Sequence, residues 1–297
     1  MEAFFFGNSK EPLYGVYHSP QVAAPLDEGI VICVPFGQEY MRSHRAVRQL
    51  AMLLAKQGFH VLRFDYRGTG DSSGEIENVS PTLWLADIAT AVEELKEMTG
   101  VDKISLVGLR LGALMAANAT NSVVHTHSLN SQTINHLVMW DPLISGKAYL
   151  DELHAKIAAT STPGCNYIDS DNTLHFNGYP LGKAFQEGLK KLDLLDSFPN
   201  VQGGVYQIIS HKAAEFSAIR DAWRHHPQFR HQHIEAPSDW SYVDNYGGIL
   251  LPQPIIQGVV NYFVAASNSA DKVFSLAAMR IAENERKNHR MRYDAPR

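Results

Sequence analysis

The chain has 297 residues, of which 45% are hydrophobic and 19% are charged, and its formal net charge is −5. This composition is typical of a globular protein that can bury one large hydrophobic core or two small ones. The mildly acidic balance argues against nucleic acid as a main partner. No apolar run is long enough to cross a bilayer, so we expect no transmembrane segment.

The N-terminal residues and the cysteines indicate the compartment. MEAFFFGNSK, residues 1–10, lacks the basic start and the long apolar stretch of a signal peptide. Cys33 and Cys165 are the two cysteines, too few for a disulfide framework. We therefore expect a cytoplasmic protein. The histidines show no metal-ligand spacing, and no cofactor is predicted.

Predicted strands and helices alternate through the first half of the chain. EAFFF and LYGVYH form a predicted hairpin, and apolar runs predict four further strands. These runs are GIVICV (29–34), FHVLRF (59–64), KISLV (103–107) and HLVMWD (136–141). One helix is predicted from about Ser43 to Gly58, and another starts at Ser80-Pro81 with Ser80 as its N-cap. Repeated alternation of this kind predicts parallel βαβ units.

The alternation stops between Pro142 and about Asn200. This segment contains a predicted helical stretch, a polar loop with Gly164 and Gly178, and a second helix around 185–195. Alternation resumes with GVYQIIS, a helix near 213–223, FRHQHIE and a helix from about Pro254. We therefore predict one α/β core (1–141 and 201–280) and a cap (142–200) inserted after the sixth strand, with a charged tail (281–297). Ligands of open α/β sheets bind at the carboxyl ends of the strands, under such a cap.

DKISLVGLRLGALMAANAT, residues 102–120, predicts a buried strand, a sharp glycine turn and a helix of small residues. A G-x-S-x-G hydrolase holds its nucleophilic serine in this setting. Here the turn reads Gly108-Leu109-Arg110-Leu111-Gly112. A guanidinium can neither attack an ester nor act as a base at neutral pH.

A second G-x-S-x-G match occurs at Gly70-Asp71-Ser72-Ser73-Gly74. It follows a strand but leads into EIENVSP, residues 75–81, and not directly into a helix. Since the motif carries meaning only between a strand and a helix, we interpret it as a structural turn.

Several segments resemble the α/β-hydrolase superfamily, and within it the serine-aminopeptidase-like branch. They are RFDYRGTGDSSG after the fourth strand, the strand–turn–helix at 103–121 and WDPLISGKAYL after the sixth strand. The resemblance implies a mostly parallel, doubly wound sheet with an N-terminal antiparallel hairpin and a small helical cap. PFGQEYMRSHR, GLRLGA and GYPL resemble, more narrowly, hydrolase-like proteins of exosortase systems and specialised-metabolite gene clusters.

The same resemblance implies an oxyanion hole and raises doubt about the rest of a triad. The hole would use the backbone N–H of Leu111 and one from the Phe36–Gly37 loop. Asp141, after the sixth strand, is either the triad acid or a cap of the WDP turn. No histidine lies in EAPSDWSYVDNYGG, residues 235–248, where the general base would be. His211 could reach the cleft or be an ordinary loop residue. His231 and His233 lie within a predicted strand, so we interpret them as residues of the sheet surface or an interface and not as a catalytic base.

A buried guanidinium requires an anion nearby, because an unpaired one is costly to desolvate. Glu39 is the best internal candidate, and Asp239 and Asp141 are the others. Asp239 and Trp240, after the last strand, are also candidate substrate contacts.

Two hypotheses remain open. In the first, the protein is an enzyme without a serine: Arg110 holds a carboxylate or oxyanion of a small acyl compound, possibly carrier-bound, and Glu39, Asp141 or His211 moves a proton. In the second, Arg110 and Glu39 lock each other and the protein is a binding or scaffold partner, possibly a homodimer. An internally paired Arg110 would favour the second hypothesis, and an anion-responsive pocket would favour the first. A serine hydrolase that uses Ser72 is the weakest alternative.

Overall fold

A computed structural model describes residues 1–121, 134–159, 166–240 and 250–268. The predicted tail 281–297, together with Cys165 and Gly164, lies outside the described residues. Within the described ranges, no helix is long and apolar enough to cross a membrane.

The core is an eight-stranded sheet. Its strands are β1 (Glu2–Phe6), β2 (Leu13–His18), β3 (Glu28–Cys33), β4 (His60–Phe64), β5 (Lys103–Leu109), β6 (Ile134–Trp140), β10 (Gly204–Ile209) and β11 (Phe229–His233). The order is β1-β2-β4-β3-β5-β6-β10-β11. β1 pairs with β2 and β2 with β4 in antiparallel fashion, and all other pairs are parallel. This is the predicted α/β-hydrolase architecture, with its N-terminal hairpin.

Helices connect the parallel strands and bury apolar faces against the sheet. They are α1 (Gly37–Lys56), α2 (Pro81–Thr99), α3 (Leu111–Asn121), α6 (Ala214–Trp223) and a last helix over 253–268. The predicted cap of α2 is present, since the side chain of Ser80 accepts a hydrogen bond from the N–H of Leu83. α3 is buried almost all round because its small residues allow close packing on the sheet.

α1 starts six residues earlier than the sequence predicted, at Gly37 rather than near Ser43. Its N-cap residue is Phe36, which makes no side-chain capping hydrogen bond. Sequence reasoning locates helix starts from Ser, Thr, Asp or Asn at this position, so the true start carried no such signal. The consequence is functional, because the earlier start places Glu39 in the first turn of α1.

The insertion after β6 contains more than the predicted helices. α4 (Gly146–Ala159) and α5 (Lys183–Leu189) flank a three-stranded antiparallel sheet of β7 (Tyr167–Ile168), β8 (Leu174–Phe176) and β9 (Tyr179–Leu181). The predicted polar loop is therefore partly wrong, since its described part forms this sheet. The strands are two or three residues long, too short to show a period of two in the sequence.

α5 also ends earlier than predicted, at Leu189 rather than near Leu195. The residues that follow pair with the entrance of the insertion: Gly146 donates to the carbonyl of Leu192 at 2.9 Å, and Leu194 donates to that of Ile144 at 2.8 Å. These hydrogen bonds tie the two ends of the cap together and replace the last turns of the predicted helix.

We expect Gly112→Ala to destabilise the fold by about 3 kcal/mol or more. A Cβ at Gly112 would lie 2.1 Å from the carbonyl oxygen of Cys33, so α3 would have to move away from β3. Gly100→Ala is the matched control, since a Cβ there meets nothing within 4 Å. Its cost is the left-handed backbone alone, about 1–2 kcal/mol. Urea unfolding of both variants measures the difference, and equal losses would contradict the close approach of α3 to β3.

Candidate active site

The turn between β5 and α3 holds Arg110 in a left-handed backbone conformation, with φ of 54°. Its N–H donates to the carbonyl of Trp140 at 3.0 Å, and its own carbonyl accepts from the N–H of Ala113 at 3.0 Å. A Cβ at Gly108 would lie 2.4 Å from the Cα of Ala113, so only glycine fits there. Non-glycine residues rarely adopt this conformation, and such strain concentrates at functional sites.

Arg110 and Glu39 form the predicted contact. The Nε of Arg110 donates to Oε1 of Glu39 at 3.1 Å, and the two residues are 8% and 4% exposed. The contact involves Nε only, and no described residue accepts a hydrogen bond from the two terminal nitrogens of the guanidinium. Glu39 therefore orients Arg110 while leaving the forked end of the guanidinium available to an anion.

The charges of this pair are set by burial and by each other. Burial raises the pKa of Glu39 above its ordinary value, and the guanidinium of Arg110 offsets only part of this rise. Burial alone would lower the pKa of Arg110, but Glu39, Tyr149 and Asp141 together raise it, so that pKa lies above its ordinary value. Oε2 of Glu39 is buried and has no hydrogen-bond partner among the described residues. Glu39 is thus the group of the pair that can take up or release a proton.

Two helix N-termini lie at the same edge of the sheet as this pair. α1 begins four residues after the end of β3, and α3 begins two residues after the end of β5; these strands are neighbours. The first N–H groups of a helix have no partner within the helix and carry a partial positive charge. The N–H of Leu111 and one from the Phe36–Gly37 loop therefore stay predicted oxyanion donors.

The cap closes over this edge. A cavity of about 10 Å³ lies beside Glu39, which is about the space of one water molecule. Its walls are mostly apolar cap side chains, among them Tyr149, Leu153, Phe176 and Tyr179. The ring of Tyr179 packs so closely on Gly37 that a Cβ there would lie 3.1 Å from it. A substrate would have to displace these side chains to reach Arg110.

Asp141 is fully buried and satisfied by neutral donors. Its Oδ1 accepts from the N–H of Ser210 at 2.7 Å, and its Oδ2 accepts from the Ser210 hydroxyl at 2.6 Å and the Trp240 indole at 3.0 Å. Its φ is 41°, the same strained region as Arg110. Asp141 thus links the ends of β6 and β10 to the loop after β11, and no described histidine contacts it. The sequence left Asp141 as either the triad acid or a cap of the WDP turn. The observed side chain contacts no described histidine, and it joins three segments of the chain instead of capping one turn.

The remaining candidates are dispersed. His211 lies 3.3 Å from the Ser210 hydroxyl and packs edge-on against Phe216, without a hydrogen bond to Arg110 or Glu39. Asp239 is exposed, and the described contact of Arg110 is with Glu39, which the early start of α1 brings to the site. Trp240 is buried and is engaged with Asp141.

The Ser72 turn is structural, as predicted. Its hydroxyl donates to the carbonyl of Asp65 at 2.6 Å and accepts from the N–H of Tyr14 at 2.8 Å. His231 lies on the sheet, bonded to Gln207 at 3.0 Å.

Sequence reasoning missed Ser210 and Tyr149. Ser210 follows β10, the sheet neighbour of β6, so the topology would have placed it next to Asp141. Tyr149 lies in the cap close to both Glu39 and Arg110, and its sequence context contains no signal for that position.

Comparison with known proteins agrees with this geometry. Residues 29–177, half of the chain, match the model of the hydrolase family described as serine aminopeptidase, S33. The chain belongs to this family. Among individual proteins, it is 37% identical over 68 residues to an acyl transferase of Photobacterium phosphoreum, which is 23% of this chain and 22% of that protein. It is 32% identical over 119 residues to an acyl transferase of Photobacterium leiognathi, or 32% and 39% of the two lengths. The chain thus matches well under half of the length of these relatives.

Similarity to solved structures extends over most of the chain. Est1E from Butyrivibrio proteoclasticus, with ferulic acid bound, superposes with a TM-score of 0.64 at 16% identity, covering 90% of this chain and 100% of that one. Proline iminopeptidase of Mycobacterium smegmatis has a TM-score of 0.57 at 14% identity, covering 91% and 100%. At these identities the likeness shows the α/β-hydrolase fold alone.

We expect Arg110→Met to make the stability of the protein strongly dependent on pH. Without the guanidinium, burial raises the pKa of Glu39 further. Because the folded-state pKa then lies well above the unfolded-state value of about 4.5, stability is kept below that value and is lost as pH rises through the folded-state pKa. At pH about 8 the loss should reach about 3–5 kcal/mol.

The double variant Arg110→Met/Glu39→Gln is the matched control, since it removes the buried carboxylate as well. Urea unfolding from acidic to mildly alkaline pH should show little added pH dependence for the double variant compared with the single one. Parallel pH profiles for the two variants would contradict the buried ion pair.

Proposed function

We propose that this protein is an α/β-hydrolase-family enzyme that acts on a small acyl compound without forming an acyl-serine intermediate. The observation that carries the proposal is Arg110 itself: a guanidinium at the strained turn between β5 and α3, where the fold implies a nucleophile, held by one nitrogen to Glu39. The family match and the relatives named acyl transferases support an acyl substrate.

In this proposal Arg110 binds the carboxylate or the developing oxyanion of the substrate. Its terminal nitrogens would form a bidentate contact, and the N–H groups of Leu111 and Gly37 would complete the site. Such donors act strongly here because the site is closed to water. Binding needs no rearrangement of the guanidinium, since Glu39 already fixes it.

Glu39 is the proposed proton carrier. Its Oε2 has no partner among the described residues and borders the cavity, and its raised pKa brings it nearer to neutral pH, as general acid–base catalysis requires. Elimination, cyclisation and hydrolysis by activated water all develop negative charge on an oxygen and use one such proton carrier. Asp141 is in turn proposed as a positioning residue, because its lone pairs are occupied.

The proposed substrate class follows from the resemblance to hydrolase-like proteins of exosortase systems and specialised-metabolite gene clusters. We propose a substrate from specialised metabolism, a cytoplasmic location, and either a free or a carrier-bound acyl group. A homodimer belongs to the same proposal.

The test uses binding and labelling together. Carboxylates such as butyrate, decanoate and cinnamate should raise the Tm of the wild-type protein by mass action, and Arg110→Met should abolish this response. Arg220→Met, an exposed arginine outside the site, is the control and should retain it. A fluorophosphonate probe should label no serine in the cleft. Stoichiometric labelling, or an equal Tm response in Arg110→Met, would overturn the proposal.

A second candidate function rests on the closed site. The Arg110–Glu39 pair is internal, and the adjacent cavity admits no more than about one water, which favours a non-catalytic binding or scaffold protein. If no carboxylate, ester or thioester changes the Tm or is turned over, this second function is the correct one.

We also expect that Arg110→Ser creates no efficient esterase. The variant restores a hydroxyl, but Asp141 faces Ser210 and Trp240 instead of an imidazole, so the serine has no base to remove its proton. Hydrolysis of nitrophenyl acetate should stay near the rate of the wild-type protein. Robust turnover would reveal a base that the structure does not place, with His211 the first residue to substitute.

A further inference from the structure

The exposed face of α1 differs in charge from the rest of the molecule. The helix carries four cationic side chains, and its one acidic residue, Glu39, is buried in the site. The protein as a whole has a net charge of −5, so the remainder of the chain is more acidic than this total. A local excess of positive charge on an acidic protein requires a reason.

Six residues of α1 are exposed, and five of them form a narrow stripe, which we call the α1 stripe: Met41, Arg45, Arg48, Met52 and Lys56; the sixth, His44, lies beside it. At 100° per residue the positions of the stripe span an arc of about 80° and extend over about 22 Å. The first four follow a four-three-four spacing, the spacing at which one helix contacts another. The two methionines are 64% and 36% exposed, which is a high exposure for large apolar side chains.

The cations of the α1 stripe have no counter-charge within the described residues. No described carboxylate lies within ion-pairing distance of Arg45, Arg48 or Lys56. Burial lowers the pKa of His44, and the nearby charges of Arg63, Arg45 and Arg48 lower it further. Several cations therefore lie around His44, where they repel one another. An acidic partner would relieve this repulsion.

The surface beside the stripe is concave. A cavity of about 550 Å³ lies between the stripe and Leu251, and its lining includes Arg48, Met52, Leu53 and Lys56. A flat bilayer cannot fill such a groove, whereas side chains that project from a helix can. Methionine and arginine are also enriched in protein interfaces, where lysine is depleted.

We propose that the α1 stripe is a docking surface for an acidic amphipathic helix of a partner protein. Apolar side chains of that helix contact Met41 and Met52 and enter the groove, and its carboxylates pair with Arg45, Arg48 and Lys56. The stripe begins two residues after Glu39 but on the opposite face of α1, so the docked partner covers the outer side of the helix that supplies Glu39. The docking surface does not depend on the proposed reaction.

The experiment measures binding of a designed, fluorescently labelled peptide to the full protein by anisotropy. The peptide is an acidic helix with leucines on one face. A scrambled peptide of the same composition, whose leucines do not fall on one face, is the control peptide. Wild-type protein should bind the amphipathic peptide more tightly. Arg45→Glu/Arg48→Glu should weaken binding by about tenfold or more, and Met41→Ala/Met52→Ala should weaken it severalfold.

Lys183→Glu/Lys191→Glu is the matched control, with the same change in net charge at exposed residues of the cap, and should bind like the wild type. Circular dichroism verifies that each variant is folded. Equal affinity for both peptides, or an unchanged affinity of the arginine variant, would overturn the proposal. So would a lack of peptide binding together with binding to vesicles that contain phosphatidylserine, which would assign the stripe to an anionic membrane surface.

Discussion

The burial of the Arg110 guanidinium is the constraint around which this site is organised. A cation that is 8% exposed needs a negative partner, because the interior of a protein solvates charge poorly. Glu39 supplies that partner only because α1 starts at Gly37, directly behind the end of β3. Gly108 allows the tight turn from β5 into α3, and Gly112 allows α3 to approach the end of β3 closely. Strand order, helix start and glycine positions thus all serve one ion pair.

The second buried acid illustrates a different solution to the same problem. Asp141 has three donors, two from Ser210 and one from Trp240, and none of them is charged. These hydrogen bonds stabilise the carboxylate of Asp141, which also attracts the Arg110 guanidinium electrostatically. Asp141 holds the ends of β6 and β10 to the loop after β11. In a serine hydrolase an acid at this position would orient a histidine. Here Asp141 accepts a hydrogen bond from the indole of Trp240 instead. This agrees with Arg110 at the turn, because an arginine, unlike a serine, needs no base to activate it.

In our proposals the two sides of α1 have separate tasks. Its first turn contributes Glu39 to the closed site, and its exposed face carries cations and methionines that the fold itself does not use. The exposed methionines of the stripe are better explained by a partner than by folding.

The sequence by itself determined the sheet, the insertion after the sixth strand and the strained turn at Arg110. These features rest on local patterns: apolar runs for buried strands, an i, i+3, i+4 stripe for helices, and small residues around a sharp turn. It also identified Glu39 as a partner for Arg110, since charge balance restricts the choice to a few acids near the sheet edge.

Only the tertiary structure decided between those acids and assembled the rest of the site. Glu39 prevailed over Asp239 because α1 begins early without a capping residue, a start that local chemistry does not reveal. Ser210 and Trp240 lie about 70 and 100 residues after Asp141 in the chain, and Tyr149 enters from the cap. Such contacts depend on which strands are neighbours and on how an insertion folds back. No short-range pattern encodes them, because they form only when distant segments are packed together.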